Sequence, residues 1–271
     1  MNTAITDPIG PDLRATLRAL KLGQMLGTLP DRLVLARQQK MTHADFLELV
    51  LADEHSRREA KSASLRARAA GLDPGMRLDT WDQTAAVTYD RQLWNELASL
   101  RFLDGPHGAL ILGPVGVGKT HLACALGHIA IRRRRTVLMA TAAKLLKRLK
   151  AARLDNTLEA EMRRITGIEL LILDDFALQP LDPTETADFY QLCVERHRKA
   201  ATIVTSNRTP EEWLTMMADP LLAQSAVDRL ASTAHELIIE GPSYRHRQKP
   251  TLSKTDRPFI DGEKGNPHDH S

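Results

Sequence analysis

Aromatic residues make up only 4% of this 271-residue chain, and it holds two cysteines. Cys124 and Cys193 stand singly within helical patterns. They have neither metal-ligand spacing nor the numbers for a disulfide framework, so a reduced compartment is expected. No apolar run nears the roughly 18 residues that a membrane-crossing helix needs. The opening residues MNTAITDPIGPDLR lack the basic and apolar regions of a secretory leader. A cytoplasmic location and no membrane contact follow as expectations. No internal repeat is present. A large excess of one charge is missing too, since 37 Lys and Arg meet 34 Asp and Glu for a net +3. The basic residues nevertheless cluster, and clustering bears on partners more than the sum does.

What is present divides into three parts. Residues 1–75 read as a small, polar, all-helical N-terminal domain, with leucines at 13, 17, 20 and 22 giving residues 11–26 a helical pattern. Thr42, with Asp45 three positions on, signals the start of a further helix, which is expected to stop at Gly71 ahead of Pro74. Residues 76–245 alternate helical segments with short apolar runs: ALILG (109–113), TVLMATA (136–142), ELLILDD (169–175), ATIVTSN (201–207) and HELIIEG (235–241). Apolar runs separated by helices predict an α/β fold around a five-stranded parallel sheet buried on both faces. Residues 246–271 are polar and rich in Pro and Gly, and are expected to form a disordered tail in which His268 and His270 are solvated rather than metal-bound.

The first apolar run leads into Gly113-Pro114-Val115-Gly116-Val117-Gly118-Lys119-Thr120, which satisfies G-x-x-x-x-G-K-[ST] at every fixed position. Glycines let successive backbone N–H groups close round phosphates, the lysine reaches the β- and γ-phosphates, and the hydroxyl coordinates Mg²⁺. Leu122, Ala125, Leu126, Ile129 and Ala130 recur at helical spacing behind the loop, so a helix N-terminus points its free N–H groups at the phosphates. Residues 113–120 and His121 are therefore the candidate nucleotide-binding residues.

A P-loop is shared by small-molecule kinases, GTPases and ATPases. The strand ending in Asp174 and Asp175 adds a carboxylate for Mg²⁺, Asp174, and a second, Asp175, that can polarise water for attack on the γ-phosphate. Asn207 closes the next strand, where its amide can orient water or touch the γ-phosphate. An asparagine there can equally be a turn former. Thr209-Pro210-Glu211-Glu212 then reads as a capping box with proline at the first helical position. Arg229 precedes the last strand. By itself it could be half of an ion pair with Asp228; in this order it is a candidate arginine finger acting from a neighbouring subunit.

This ordered set resembles the AAA+ superfamily and, more narrowly, the IstB family of transposition helper ATPases, relatives of the helicase loader DnaC. The segments that carry the likeness are GPVGVGKTHLACALG, LLILDDFALQPL, TIVTSNRTPEEW, DPLLAQSAVDRL and EGPSYR, and it extends into LRALKLGQMLGTLP near the N-terminus. The resemblance implies a three-layer αβα ATPase domain, ATP and Mg²⁺ as cofactors, Thr120 and Asp174 as metal ligands, and catalytic parts for Lys119, Asp175, Asn207 and Arg229. It further implies a homo-oligomer assembled by ATP and DNA and a transposase of the same element as partner. A replicative-helicase loader, with single-stranded DNA as its substrate, is the alternative within the fold. Glutamate is common in the family where this chain has Asp175. Arg245 ends the SYR segment without an assigned part.

Cations at a helix C-terminus favour its dipole, yet that accounts for one or two of Arg132, Arg133, Arg134 and Arg135, not all four. The following segment AAKLLKRLKAARL carries Lys144, Lys147, Arg148, Lys150 and Arg153, and Arg163 and Arg164 lie beyond it. In the initiator and loader branch of AAA+ proteins this region faces nucleic acid, which makes these five residues the candidate DNA contacts. No aromatic residue interleaves with them, so duplex DNA held through its phosphates is expected rather than stacked single-stranded bases. A solubilising basic face is the plainer reading.

Overall fold

The structure, a computed structural model, describes residues 9–105 and 107–244. Arg245 and the expected tail 246–271, with its two histidines, lie outside the described residues.

Each apolar run forms a strand: β1 (Gly108–Leu112), β2 (Val137–Thr141), β3 (Leu170–Asp174), β4 (Ala201–Ser206) and β5 (Ala234–Ile238). All pair in parallel, in the order β2-β3-β4-β1-β5. Successive side chains of a strand point to opposite faces, and here both faces are covered. Ala109, Ile111, Leu170, Ile172 and Ile203 join one core. Leu110, Leu112, Leu171, Leu173 and Val204 join the other. The first core lies under α4 (Arg91–Ser99) and α5 (Lys119–Arg132). The second lies under α6 (Ala142–Leu154), α7 (Leu158–Thr166), α8 (Pro183–Arg196) and α10 (Pro220–Ala231), with α9 (Pro210–Leu214) beside it. The architecture is the expected three-layer αβα sandwich.

Before the sandwich come α1 (Pro11–Ala19), α2 (Leu29–Gln39) and the 27-residue α3 (His43–Ala69). Ile9, Leu17, Met25, Leu29 and Val50 make a small core of their own. Residues 11–26 do not form one helix: Lys21 turns left-handed (φ 58°), Leu22 N–H reaches back to Leu17 O at 2.7 Å, and a 3-10 turn over Gly23–Gly27 follows. α3 begins with the expected Thr42–Asp45 capping box. Its far end serves the sandwich, since Ala67, Ala70 and Leu72 are part of the first core. Gly71 (φ 81°) turns the chain so closely over β2 that a Cβ there would meet Met139 O at 2.5 Å. Met139 N–H donates to Ala70 O (2.7 Å), so the helix end satisfies a polar group on the sheet's outer edge.

One buried cation sits where β3 and β4 begin. Arg196, 3% exposed, donates to the carbonyls of Ile165 (3.0 Å), Ile168 (2.7 Å) and Ala201 and to Thr202 Oγ1 (3.0 Å), and burial lowers its pKa to about 10. The two cysteines are free and buried, and burial pushes the Cys124 thiol up to about 11. Among the described residues no helix is long and apolar enough to cross a membrane.

Candidate nucleotide site

The loop between β1 and α5 takes the conformation its glycines permit, with φ of 147°, 85° and 100° at Gly113, Gly116 and Gly118. Gly118 caps α5, and a Cβ on it would lie 2.5 Å from the Trp81 ring. The Lys119 side chain folds back under the loop, its Nζ donating to Gly113 O and Pro114 O at 2.8 Å each. Lys119 is only 7% exposed, so its charge is held at the loop by carbonyl dipoles.

Behind the loop, Thr120 Oγ1 donates to Asp174 Oδ1 at 2.9 Å. Asp174 is 6% exposed, and burial raises its pKa, opposed by hydrogen bonds from Thr205 and Thr120. Asp175, one residue on, emerges exposed from a left-handed turn with φ 52°. Adjacent carboxylates thus occupy opposite environments, one at the floor and one at the mouth. Mg²⁺ fits the floor: the Thr120 and Asp174 oxygens are 2.9 Å apart, as neighbouring ligands are in an octahedron with bonds of about 2.0–2.1 Å. No group of three acidic, histidine or cysteine side chains lies together for a metal among the described residues.

A cleft of about 370 Å³ brings the pieces together. Val115 to His121, Asp175 and Asn207 line it, so three separated sequence segments meet there. Gly113 and Pro114 act from below, through the carbonyls that hold Lys119. The rest of the lining went unread in the sequence: Met76, Trp81, Val87 and Tyr244 supply an apolar side. His121 is fixed there, its ring edge-on to Trp81 (5.2 Å between centroids) and its Nε2 bonded to Arg77 O at 2.8 Å. Tyr244 N–H donates to Gly116 O at 2.9 Å, so the segment after β5 closes over the loop. In a chain this poor in aromatics, Trp81, Tyr89 and Trp94 just ahead of the P-loop were the available signal.

With this geometry in place, comparison with known proteins is decisive. The family model described as "IstB-like ATP binding protein" matches residues 15–251. The chain belongs to that family. It is 37% identical over 241 residues to a Mycobacterium tuberculosis protein named as an ATP-binding protein in an insertion sequence, covering 89% of this chain and 96% of that one. It is 32% identical over 255 residues to the insertion sequence IS21 ATP-binding protein of Pseudomonas aeruginosa, covering 93% and 96%. Among solved structures, the DnaC helicase loader superposes with a TM-score of 0.53 at 18% identity, over 62% of this chain and 98% of DnaC. AMPPCP-bound DnaA from Aquifex aeolicus gives 0.51 at 21% identity, over 68% and 59%. These two likenesses show that this IstB-like chain shares the fold of DnaC and DnaA.

Arg229 does not line the cleft of this IstB-like chain. Its guanidinium donates to Ser225 O at 2.8 Å and lies 5.8 Å from the centre of the Tyr190 ring, beside Arg196 and His197 rather than the P-loop. The basic segments divide further. Of the arginine run, Arg133 donates to Ser99 O, Arg134 pairs with Glu59 on α3 (2.7 Å), and Arg135 pairs with Asp104 (2.6 Å) and Glu169 (2.9 Å). Three of the four thus tie α5 to its surroundings, a use for the charge that the sequence did not disclose. On α6, Leu145, Leu146 and Leu149 face the core as expected. Arg148 pairs with Glu161 (2.6 Å), Lys150 with Asp182 (2.8 Å) and Arg153 with Asp188, whose carboxyl is 1% exposed. Lys144 and Lys147 are exposed. Arg163 and Arg164 pair with Glu159 (3.8 Å) and Glu161 (3.0 Å).

Proposed function

We propose that this chain is a Mg²⁺-dependent ATPase that binds duplex DNA as a homo-oligomer and recruits or stimulates the transposase of an insertion element. One observation carries the reading: Lys119, Thr120, Asp175 and Asn207 converge on a single cleft with Asp174 at its floor, while Arg229, the candidate finger, lies elsewhere in the same chain. The triphosphate lies on the P-loop with Lys119 at its β- and γ-phosphates. Met76, Trp81, Val87 and Tyr244 leave an apolar side for the base. Thr120 and Asp174 hold Mg²⁺, which offsets charge on the phosphates. Asp175 accepts a proton from the attacking water, and Asn207 holds that water or the γ-phosphate. The cleft, which has no arginine among its described lining residues, is completed by the Arg229 of the next subunit, which makes assembly a condition of turnover. The names of the relatives, all tied to insertion sequences, support a transposase as the partner.

Lys144 and Lys147 are the first DNA contacts in this reading. Lys150 sits in an exposed pair of small net value and can exchange its carboxylate for a phosphate, whereas Arg148 is paired with the largely buried Glu161 and exchanges less readily. Arg153, paired with a buried carboxylate, exchanges least readily.

The test is ATP turnover by the full chain, with duplex DNA, with single-stranded DNA and with neither, alongside transposase activity of the neighbouring gene product. Stimulation by duplex and enhanced strand transfer are expected. Stimulation by single strands alone, with capture of a replicative helicase, would replace this reading with a loader.

A further inference from the structure

Between the two acids and Asn207 stands a residue that does not itself line the cleft. Thr205 is the fifth residue of β4, two before Asn207, and it is fully buried. Its hydroxyl donates to Asp174 Oδ1 at 2.5 Å and accepts from the backbone N–H of Asp175 at 3.0 Å. Its carbonyl accepts from Phe176 N–H at 2.9 Å. Alongside, Ser206 Oγ donates to Phe176 O (2.8 Å) and Arg208 Nε donates to Ala177 O (3.1 Å). The end of β4 is thereby laced to the acidic turn, residues 174–177.

That turn needs holding. Asp175 and Ala177 have φ of 52° and 56°, a left-handed conformation that side-chain-bearing residues seldom adopt and that persists only where the surroundings impose it. A hydroxyl has one proton to give. With that proton on Asp174, the Thr205 oxygen is left to receive the Asp175 N–H, so one atom fixes the direction of both bonds. Valine matches threonine in shape and can make neither bond.

We propose that Thr205 is a positioning residue for ATP hydrolysis, its hydroxyl setting Asp174 for the metal and Asp175 for water and joining both to the strand that carries Asn207. The proposal rests on the ATPase reading above. It assigns Thr205 no contact with nucleotide, so its effect passes through the two carboxylates.

The experiment compares the wild type with Thr205→Val and Thr205→Ser, taking Thr205→Ala as the hydroxyl-free variant if valine does not fold. At saturating Mg²⁺, loss of the hydroxyl is expected to lower kcat by about 10–100-fold, the range for residues that orient metal ligands, with KM little changed. Metal-free affinity for a fluorescent ATP analogue stays at the wild-type level. Mn²⁺ affinity of the complex with a non-hydrolysable analogue, read by electron paramagnetic resonance, falls by about tenfold. Thr205→Ser remains close to the wild type in every assay. Wild-type kcat and Mn²⁺ affinity without the hydroxyl would overturn the proposal. So would a serine variant as impaired as the valine one, because packing would then be the cause. The Mn²⁺ titration needs no turnover: a wild type that binds metal and nucleotide yet hydrolyses no ATP on DNA overturns the ATPase reading, while the titration still decides the hold of Thr205 on Asp174.

Discussion

The nucleotide cleft and the basic face of α5 and α6 both take their character from lysine and arginine, but by different rules. In the cleft, Lys119 is 7% exposed and bonded to two carbonyls of its own loop. Its place follows from a local backbone path that the glycines make possible. On the basic face, cations close together in sequence go separate ways: Arg134 to α3, Arg135 to Asp104 and Glu169, Arg153 to a buried aspartate, Lys147 to solvent. Position within a motif fixes the environment of a side chain. Position within a charge run does not, because a long flexible side chain takes whichever carboxylate the tertiary structure brings near.

The largest expected effect strikes the cleft from outside. Arg229→Ala should keep ATP binding and lose about 10³- to 10⁵-fold in turnover, the value of an arginine finger. Mixed with Asp175→Asn, it should regain part of the rate, since one kind of interface then holds both an intact acid and an intact arginine. Subunits that mix without any recovery would return Arg229 to a structural part beside Tyr190. Next, Asp175→Asn should bind ATP and turn over about 10²- to 10⁴-fold more slowly, as loss of a proton acceptor implies, whereas Lys119→Ala should lose tight binding itself. Equilibrium binding of a labelled nucleotide, measured beside phosphate release, distinguishes the two; equal loss of binding would erase the division between floor and mouth of the cleft.

A smaller effect is expected on the basic face. Each phosphate contact contributes roughly −0.9 to the slope of log K against log salt on duplex DNA. Lys144→Ala with Lys147→Ala should therefore flatten the slope by up to about two units per subunit, for all sequences alike. An unchanged slope, measured with a slowly hydrolysed ATP analogue, would make α6 a solvated face. The smallest effect belongs to Arg134→Ala. The Arg134–Glu59 pair is exposed, at 70% and 37% of the two side chains, so about 1 kcal/mol or less of stability should be lost with the salt slope unaltered. A flattened slope there would mean that the arginine run, too, meets DNA.

The strands were legible because a sheet buried on both faces demands short unbroken apolar runs, and β1 to β5 fall within one to three residues of those runs. The capping boxes at Thr42 and Thr209 formed as their spacing required. Trp81 and Tyr244 were not legible as cleft residues, for nothing local says that the segments before β1 and after β5 fold over the P-loop. Thr205 was hidden for the same reason, since its partners lie 30 and 31 residues away in sequence.

By itself the sequence determined what short-range physics encodes: the elements, the phosphate loop, the paired acids at a strand end and the family. Tertiary structure decided whatever depends on who meets whom. It set Arg229 away from its own cleft, spent three of four arginines on internal contacts, and left Lys144 and Lys147 exposed on α6. It also brought the Thr205 hydroxyl between two carboxylates. Backbone conformation is set by neighbours along the chain, whereas the partner of a long or polar side chain is set by neighbours in space, and only the folded sheet supplies those.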